Sequence, residues 1–283
     1  MNSINSSSHD SYEVESYQVS EMNLESRHSH TEDSSETVNA ELYIDGIEEL
    51  RTPFDYIFQG RSILPLDTLL DDALLNTEDL TPSKSCCSRL FSCFNRTLKN
   101  LQVSIKKVRK LLKTHFNPTL SFHGNLLMTW YNSVTGRNSF KLEQKIWQKI
   151  GFANEDPKAN GLNEPGIVFV ILHLLYMKTN CPDIMQSFVS CCLNPNFRGS
   201  LVLTSLGIMK FVSGVFGVKD CARYLQANGE KPLLLFIRLQ TAMVAKWCNA
   251  FDHSTDKSSL ESILKLARCN GKDIQQLLSI SLS

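Results

Sequence analysis

From Leu98 to the end of the chain, apolar side chains return every three to four residues. Leu98, Leu101, Ile105, Val108, Leu111 and Leu112 fall on one helical face, and Lys99, Lys106, Lys107, Arg109, Lys110 and Lys113 mostly on the other. Pro118 marks the end of that helix. A second helix is predicted over Phe122–Asn132, with Leu126, Leu127 and Trp130 apolar. A third runs from Ser139 as N-cap through Leu142, Ile146, Trp147 and Ile150. It stops at Gly151, which can take the left-handed conformation without a Cβ penalty. After a loop rich in Asn, Gly and Pro (Ala153–Pro165), helices are expected near 166–178, 183–193, 200–215, 219–227, 232–251, 257–268 and 271–280. Breakers stand at the joins: Pro182, Pro195, Gly217, Gly229, Pro232 and Gly271. No alternating strand of useful length and no repeat is found. The pattern predicts an all-α fold, a multi-helix bundle of eight to ten helices over residues 98–283.

Upstream the pattern is different. Residues 1–40 hold 11 serines and few large apolar residues, too little buried surface to offset the entropy of ordering. Residues 1–80 are read as a disordered acidic tail. Within them Leu66, Leu69, Leu70, Leu74 and Leu75 suggest either a transient helix in a flexible linker or a short docking peptide.

Charge sharpens this division. The formal net charge is zero, yet residues 1–80 carry 18 acidic and 3 basic side chains, while residues 81–115 carry 9 basic and no acidic ones. The two blocks could attract each other, so the tail could fold back on the basic face. The uncharged run Gly166–Met177 is too short for a bilayer, which takes about 20 residues, and reads as a buried core helix. The N-terminus is polar and acidic, where a secretory signal needs a basic start and an apolar stretch. With that, the 9 cysteines are expected to be reduced thiols in a cytoplasmic protein. No Cys-x-x-Cys pair occurs, so no structural metal is expected.

Self-contained catalysis finds little support. There is no Gly-x-Ser-x-Gly, no phosphate loop ending in Gly-Lys-Ser/Thr and no His-Glu-x-x-His. His173 lies inside an apolar helix and reads as a satisfied core residue. Trp130, Trp147 and Trp247 read as core anchors. No cofactor is expected. The basic stretch lacks an aromatic ladder, so no nucleic acid is expected either.

The most specific stretch is Leu126-Leu127-Met128-Thr129-Trp130, a spacer, then Ile146-Trp147-Gln148-Lys149-Ile150-Gly151-Phe152-Ala153-Asn154-Glu155-Asp156-Pro157. It resembles the ELMO (engulfment and cell motility) domain family over about residues 118–280. That family carries a Trp, three residues, Gly-Phe, an acidic pair and Pro, then an Asp-Phe/Leu-Arg-Gly turn that opens an apolar helix. Here Gly166–Met177 looks like that helix, and Asn194-Pro195-Asn196-Phe197 leading into Leu201–Phe211 looks like a later one.

The resemblance implies work on small GTPases. One branch accelerates GTP hydrolysis on Arf-like GTPases through a loop arginine, and larger relatives help exchange factors activate Rac. A placed guanidinium matters because phosphoryl transfer spreads charge over the departing group. In this chain the alignment places Leu162-Asn163-Glu164-Pro165-Gly166 where Leu-Arg-Gly-x-Gly is expected, after a shift of one residue. Asn163 then stands at the arginine position, or Leu162 without the shift, and neither a neutral amide nor an alkyl side chain can replace that charge. Trp147, Gly151, Phe152, Pro157, Asn163 and Gly166 are the predicted binding residues. An alternative is Phe197-Arg198-Gly199, which spells the family's Phe-Arg-Gly but would require a long insertion after Pro157. Lys158 and Arg137 are further candidates for a supplied cation.

The resemblance therefore implies a regulator or adaptor that binds a small GTPase of Arf/Arl or Rac type, or an exchange-factor complex. The alternative is an active GTPase activator using Arg198 or another cation. Cys86, Cys87 and Cys93, in the basic linker 81–97, are candidates for S-palmitoylation. One lipid chain anchors weakly, and the adjoining basic face would add an anionic membrane surface as second signal.

Overall fold

In a computed structural model, described residues are 55–75, 92–140, 145–197, 199–254, 257, 259–267 and 274–279. The readings of 1–54 as tail and of Cys86 and Cys87 as lipid sites fall outside them, as does Arg198. Eleven α-helices are present among the described residues, and no strand. They are α1 (Leu66–Leu75), α2 (Ser92–Leu111), α3 (Ser121–Thr135), α4 (Ile146–Lys149), α5 (Ile167–Asn180), α6 (Pro182–Cys192), α7 (Leu201–Val215), α8 (Val218–Asn228), α9 (Pro232–His253), α10 (Leu260–Leu266) and α11 (Ile274–Ser279).

Two helices form the axis of the bundle. In α5 nearly every side chain from Ile167 to Met177 is buried, as expected of a helix that is apolar all round. It packs on α3, α6, α7 and α9. Helix α9 runs for 22 residues and touches α2, α5, α6, α7, α8, α10 and α11. Buried polar links tie these helices to their neighbours. Gln240 of α9 donates to the Ser205 carbonyl of α7 at 2.9 Å. His173 of α5 meets the Thr241 hydroxyl of α9 at 3.1 Å, and burial lowers its pKa to about 3. The Thr241 hydroxyl already donates to Ile237, so the imidazole is neutral with its proton on Nε2. No single helix among the described residues is long and apolar enough to cross a membrane.

Arg109, on the polar side of α2 by periodicity, is half-buried. Its guanidinium donates to the carbonyls of Ser213 and Phe216, at 3.1 and 2.5 Å. Those carbonyls close α7, which bends by 87° into α8, and a cation at a helix C-terminus also suits the helix dipole.

Two expectations fail. Residues 55–75 are not a linker, because they pack into the core. Ile57, Phe58, Leu69 and Ala73 are buried. Leu64 N–H donates to Thr129 Oγ1 and Ser62 N–H to Asn125 Oδ1, both at 3.0 Å, while Arg61 lies across Gly124 and donates to the Pro118 carbonyl. A ten-residue helix that would be marginal alone is held by tertiary contact. Helix α2 likewise starts at Ser92, inside the supposed linker. The helix predicted from Ser139 is shorter than expected, since α4 begins at Ile146 and Asn138–Phe140 are not helical. The Phe140 ring stacks on Phe58 at 4.3 Å and meets Tyr131 at 5.5 Å. Lys145, at φ +62°, stands directly ahead of α4, and residues 141–144 of the predicted helix lie outside the described residues.

Candidate functional site

The turn between α4 and α5 is built on a buried aromatic base. Trp147 is fully buried, with Phe152 edge-on to it at 5.3 Å and Phe58 on its other side at 5.4 Å. The Trp130 indole donates to the Ile150 carbonyl at 2.9 Å, fixing the backbone just ahead of Gly151. Gly151 has φ +101°, as its place at a helix end predicted. Its carbonyl accepts the Val202 N–H at 3.1 Å, so the turn is tied to the first turn of α7.

Beyond Gly151 the chain forms a small self-bonded loop. Asn154 Oδ1 accepts the Asp156 N–H at 2.8 Å. Asp156 Oδ1 accepts the N–H groups of Lys158 and Ala159 at 3.0 and 3.2 Å. Residues Lys158–Leu162 then make a π turn, closed by the Leu162 N–H on the Pro157 carbonyl at 2.7 Å. An i→i+5 bond encloses one residue more than an α turn. Gly161 absorbs the extra residue at φ +117°, and a Cβ there would press on Val202 and Leu206 of α7.

Asn163 follows the π turn and is exposed, with its carbonyl 2.8 Å from His115 Nδ1. Gly166, at φ +90°, donates its N–H to the Thr114 carbonyl at 2.9 Å. The α2–α3 connection and α7 thus grip the turn from two sides and leave the Asn163 position facing water. Glu164 pairs with Lys210 of α7 at 2.9 Å. Both groups are about half exposed, so the bond adds little stability, but it balances the negative charge that the turn would otherwise carry.

A groove of about 890 Å³ lies on the other side of the Gly151 corner. Gly151, Phe152, Met185, Val189, Phe197 and Leu201 are among the residues that line it, with Lys149 and Lys178 also on its walls. Leu193, also lining it, is 77% exposed. Sequence reasoning missed the α6 side of this groove. The signal was present in the spacing of Met185, Val189 and Leu193, but those residues read equally well as core.

A family model for the ELMO/CED-12 family matches residues 106–257, more than half of the chain. The chain belongs to the ELMO/CED-12 family. The matched span runs from within α2 to Lys257, past the end of α9, and contains the whole site. Among curated proteins and solved structures no match is found. Membership places this ELMO/CED-12 domain among regulators associated with small GTPases and their exchange factors.

The six predicted binding residues of the domain do not stand alike. Trp147, Phe152, Pro157 and Gly166 are buried and shape the turn, and of these Phe152 also borders the groove. Gly151 is half-buried and Asn163 is exposed. Asn163 does not line the groove beside Gly151. The neighbours of Arg198 do: Phe197, edge-on to Trp247 at 5.4 Å, and Gly199.

Proposed function

We propose that this protein is a small-GTPase-binding regulator of adaptor type whose ELMO/CED-12 domain lacks the arginine that would accelerate GTP hydrolysis. The observation that carries the reading is the exposed Asn163 at the end of a turn holding one extra residue. The turn is gripped by the α2–α3 connection and α7, so it can present a side chain rigidly. The side chain presented is a neutral amide. The partner would be a GTPase of Arf/Arl or Rac type, alone or with an exchange factor, and the contact surface would join this turn to the apolar groove beside Gly151. We read the protein as cytoplasmic, reaching membranes peripherally through lipid on Cys86, Cys87 or Cys93. Retention of a Cys86/Cys87/Cys93→Ser variant in the membrane fraction would remove that part of the reading.

A second reading is favoured by one observation. Phe197 and Gly199 line the groove at the Gly151 corner, so Arg198 between them is a candidate to supply a cation there and make the protein an activator. Single-turnover hydrolysis with GTP-loaded Arf, Arl and Rac proteins separates the two. Under the adaptor reading, the wild-type chain binds but changes the rate only a few-fold. Asn163→Arg then raises it, with the thousandfold or more of an arginine finger as the ceiling. A large acceleration by the wild-type chain that Arg198→Ala abolishes selects the second reading. Binding to none of these GTPases would overturn both.

A further inference from the structure

Helix α2 and its closing turn present a one-sided basic face. At 3.6 residues per turn, Lys99, Val103, Lys106, Lys110 and Lys113 fall within an arc of about 80°, opposite the face that carries Ile105, Val108 and Leu111 into the core. Lys99, Lys106 and Lys113 are exposed, and Val103 among them is 44% exposed. From Lys99 to Lys113 the stripe runs for about 21 Å. No acidic residue occurs between Asp79 and Glu143, a stretch with eleven lysines and arginines.

We infer that this face docks on a bilayer rich in anionic phospholipid. The inference rests on the peripheral-membrane part of the reading above and deepens it by naming the surface, which needs no lipid on a cysteine. An ordinary solvated helix face mixes signs, because acid–base pairs at i,i+4 stabilise it. Lys106 and Lys110 stand at that spacing with like charge, which costs stability. The residue type fits a fluid surface: lysine is a flexible point charge, whereas the planar fork of arginine suits a fixed carboxylate or phosphate geometry. Arg109, on the same helix, is turned inward onto the Ser213 and Phe216 carbonyls. Val103 gives the stripe an apolar side chain that can enter the headgroup layer between the lysines.

The neighbouring helix extends the charge. The Arg109 bond to the Phe216 carbonyl brings the start of α8 beside α2, and α8 exposes Lys219 and Arg223. Acids on the helices packed against α2 have cations of their own. Asp220 of α8 lies 3.9 Å from Arg223, and Asp71 of α1 lies 3.5 Å from Lys231. The far end of the stripe leads into the candidate turn. Directly after Lys113, the Thr114 carbonyl accepts the Gly166 N–H, and His115 Nδ1 lies 2.8 Å from the Asn163 carbonyl. A bilayer against α2 would therefore hold the Asn163 turn close to its surface.

The test mixes the full chain, purified from bacteria and free of acyl chains, with vesicles of phosphatidylcholine and phosphatidylserine at about a 7:3 ratio, and with phosphatidylcholine alone. Cosedimentation with the anionic vesicles only is expected. It should be lost between about 0.1 M and about 1 M salt, as the screening length falls from about 10 to about 3 Å. A lysine near an anionic surface contributes about fivefold, so Lys99/Lys106/Lys113→Gln should weaken binding about a hundredfold. Lys231/Lys257/Lys265→Gln removes the same charge elsewhere and should change it only a few-fold. Trp130, Trp147 and Trp247 are buried, so in Val103→Trp quenching by brominated phospholipid reports on residue 103 and is expected.

No binding by the full chain, equal binding to phosphatidylcholine alone, equal losses in the two triple variants, or no quenching at residue 103 would each overturn the inference. So would a full chain that leaves the vesicles free but binds a soluble GTPase through these lysines, since the face then belongs to a protein. The vesicle experiments contain no GTPase and no acylated cysteine. Their failure therefore leaves both of those readings standing, each with its own test.

Discussion

Gly166→Ala tests how the candidate turn is held. Gly166 sits at φ +90° between Asn163 and the first turn of α5. A Cβ there would lie 2.4 Å from Met209 Cε and 2.7 Å from the Leu112 carbonyl oxygen. The methionine end can swing away, but the carbonyl belongs to the backbone at the close of α2 and cannot move without it. The left-handed conformation costs a non-glycine residue about 1–2 kcal/mol. Forcing a carbon into a filled space adds about 1–3 kcal/mol. The expected loss is therefore about 2–5 kcal/mol, read as a fall in the urea midpoint by far-UV circular dichroism with the slope unchanged. Two other glycines separate the causes. Gly229→Ala has positive φ but no atom within 4 Å, so it should show only the conformational cost of about 1–2 kcal/mol. Gly214→Ala, in α7 with open space around it, should be neutral or stabilise by up to about 1 kcal/mol. If Gly166→Ala costs no more than Gly229→Ala, the close approach of the turn to Leu112 is wrong, and with it the rigid presentation of Asn163.

Two more predictions follow from the packing. Burial holds the folded-state pKa of His173 at about 3 and of His123 at about 4, below the 6.5 of the unfolded chain. Their contribution is full above pH 6.5 and is lost as pH falls below it, because only the unfolded state takes up the protons; each should cost about 2 kcal/mol between pH 7.5 and 5. Denaturation at the two pH values checks this, and His173→Leu should remove that residue's share of the acid sensitivity. A chain starting at residue 98 should melt well below one starting at residue 55, since it strips Phe58 from Tyr131, Phe140 and Trp147. Phe58→Ala in the longer chain should cost about 3–5 kcal/mol, and equal melting of the two truncations would remove the claim that the N-terminal segment completes the core.

The periodicity of apolar residues determined most of the bundle. α5 to α9 lie within two residues of where the pattern placed them, because long runs with a 3.6-residue repeat and Pro or Gly at their ends leave few other ways to bury the same faces. Gly151 could also be placed, since a helix end with glycine has a conformational cause in the residue itself. The likeness of the Trp147–Pro157 stretch to a family was legible in letters for the same reason: a buried Trp base and a Gly-Phe corner need those residue types at that spacing.

Tertiary structure decided what local pattern leaves degenerate. Five leucines between 66 and 75 could mark a linker, a docking peptide or a core helix; packing on α2, α3 and α5 buries Leu69, half-buries Leu66, Leu70 and Leu74, and leaves Leu75 exposed. Phe140, predicted within a helix, is not helical and stacks on Phe58, a residue 82 positions away. Depth is likewise invisible in the letters: Trp147 lies fully buried beneath the turn, while Phe152, also buried, borders the groove.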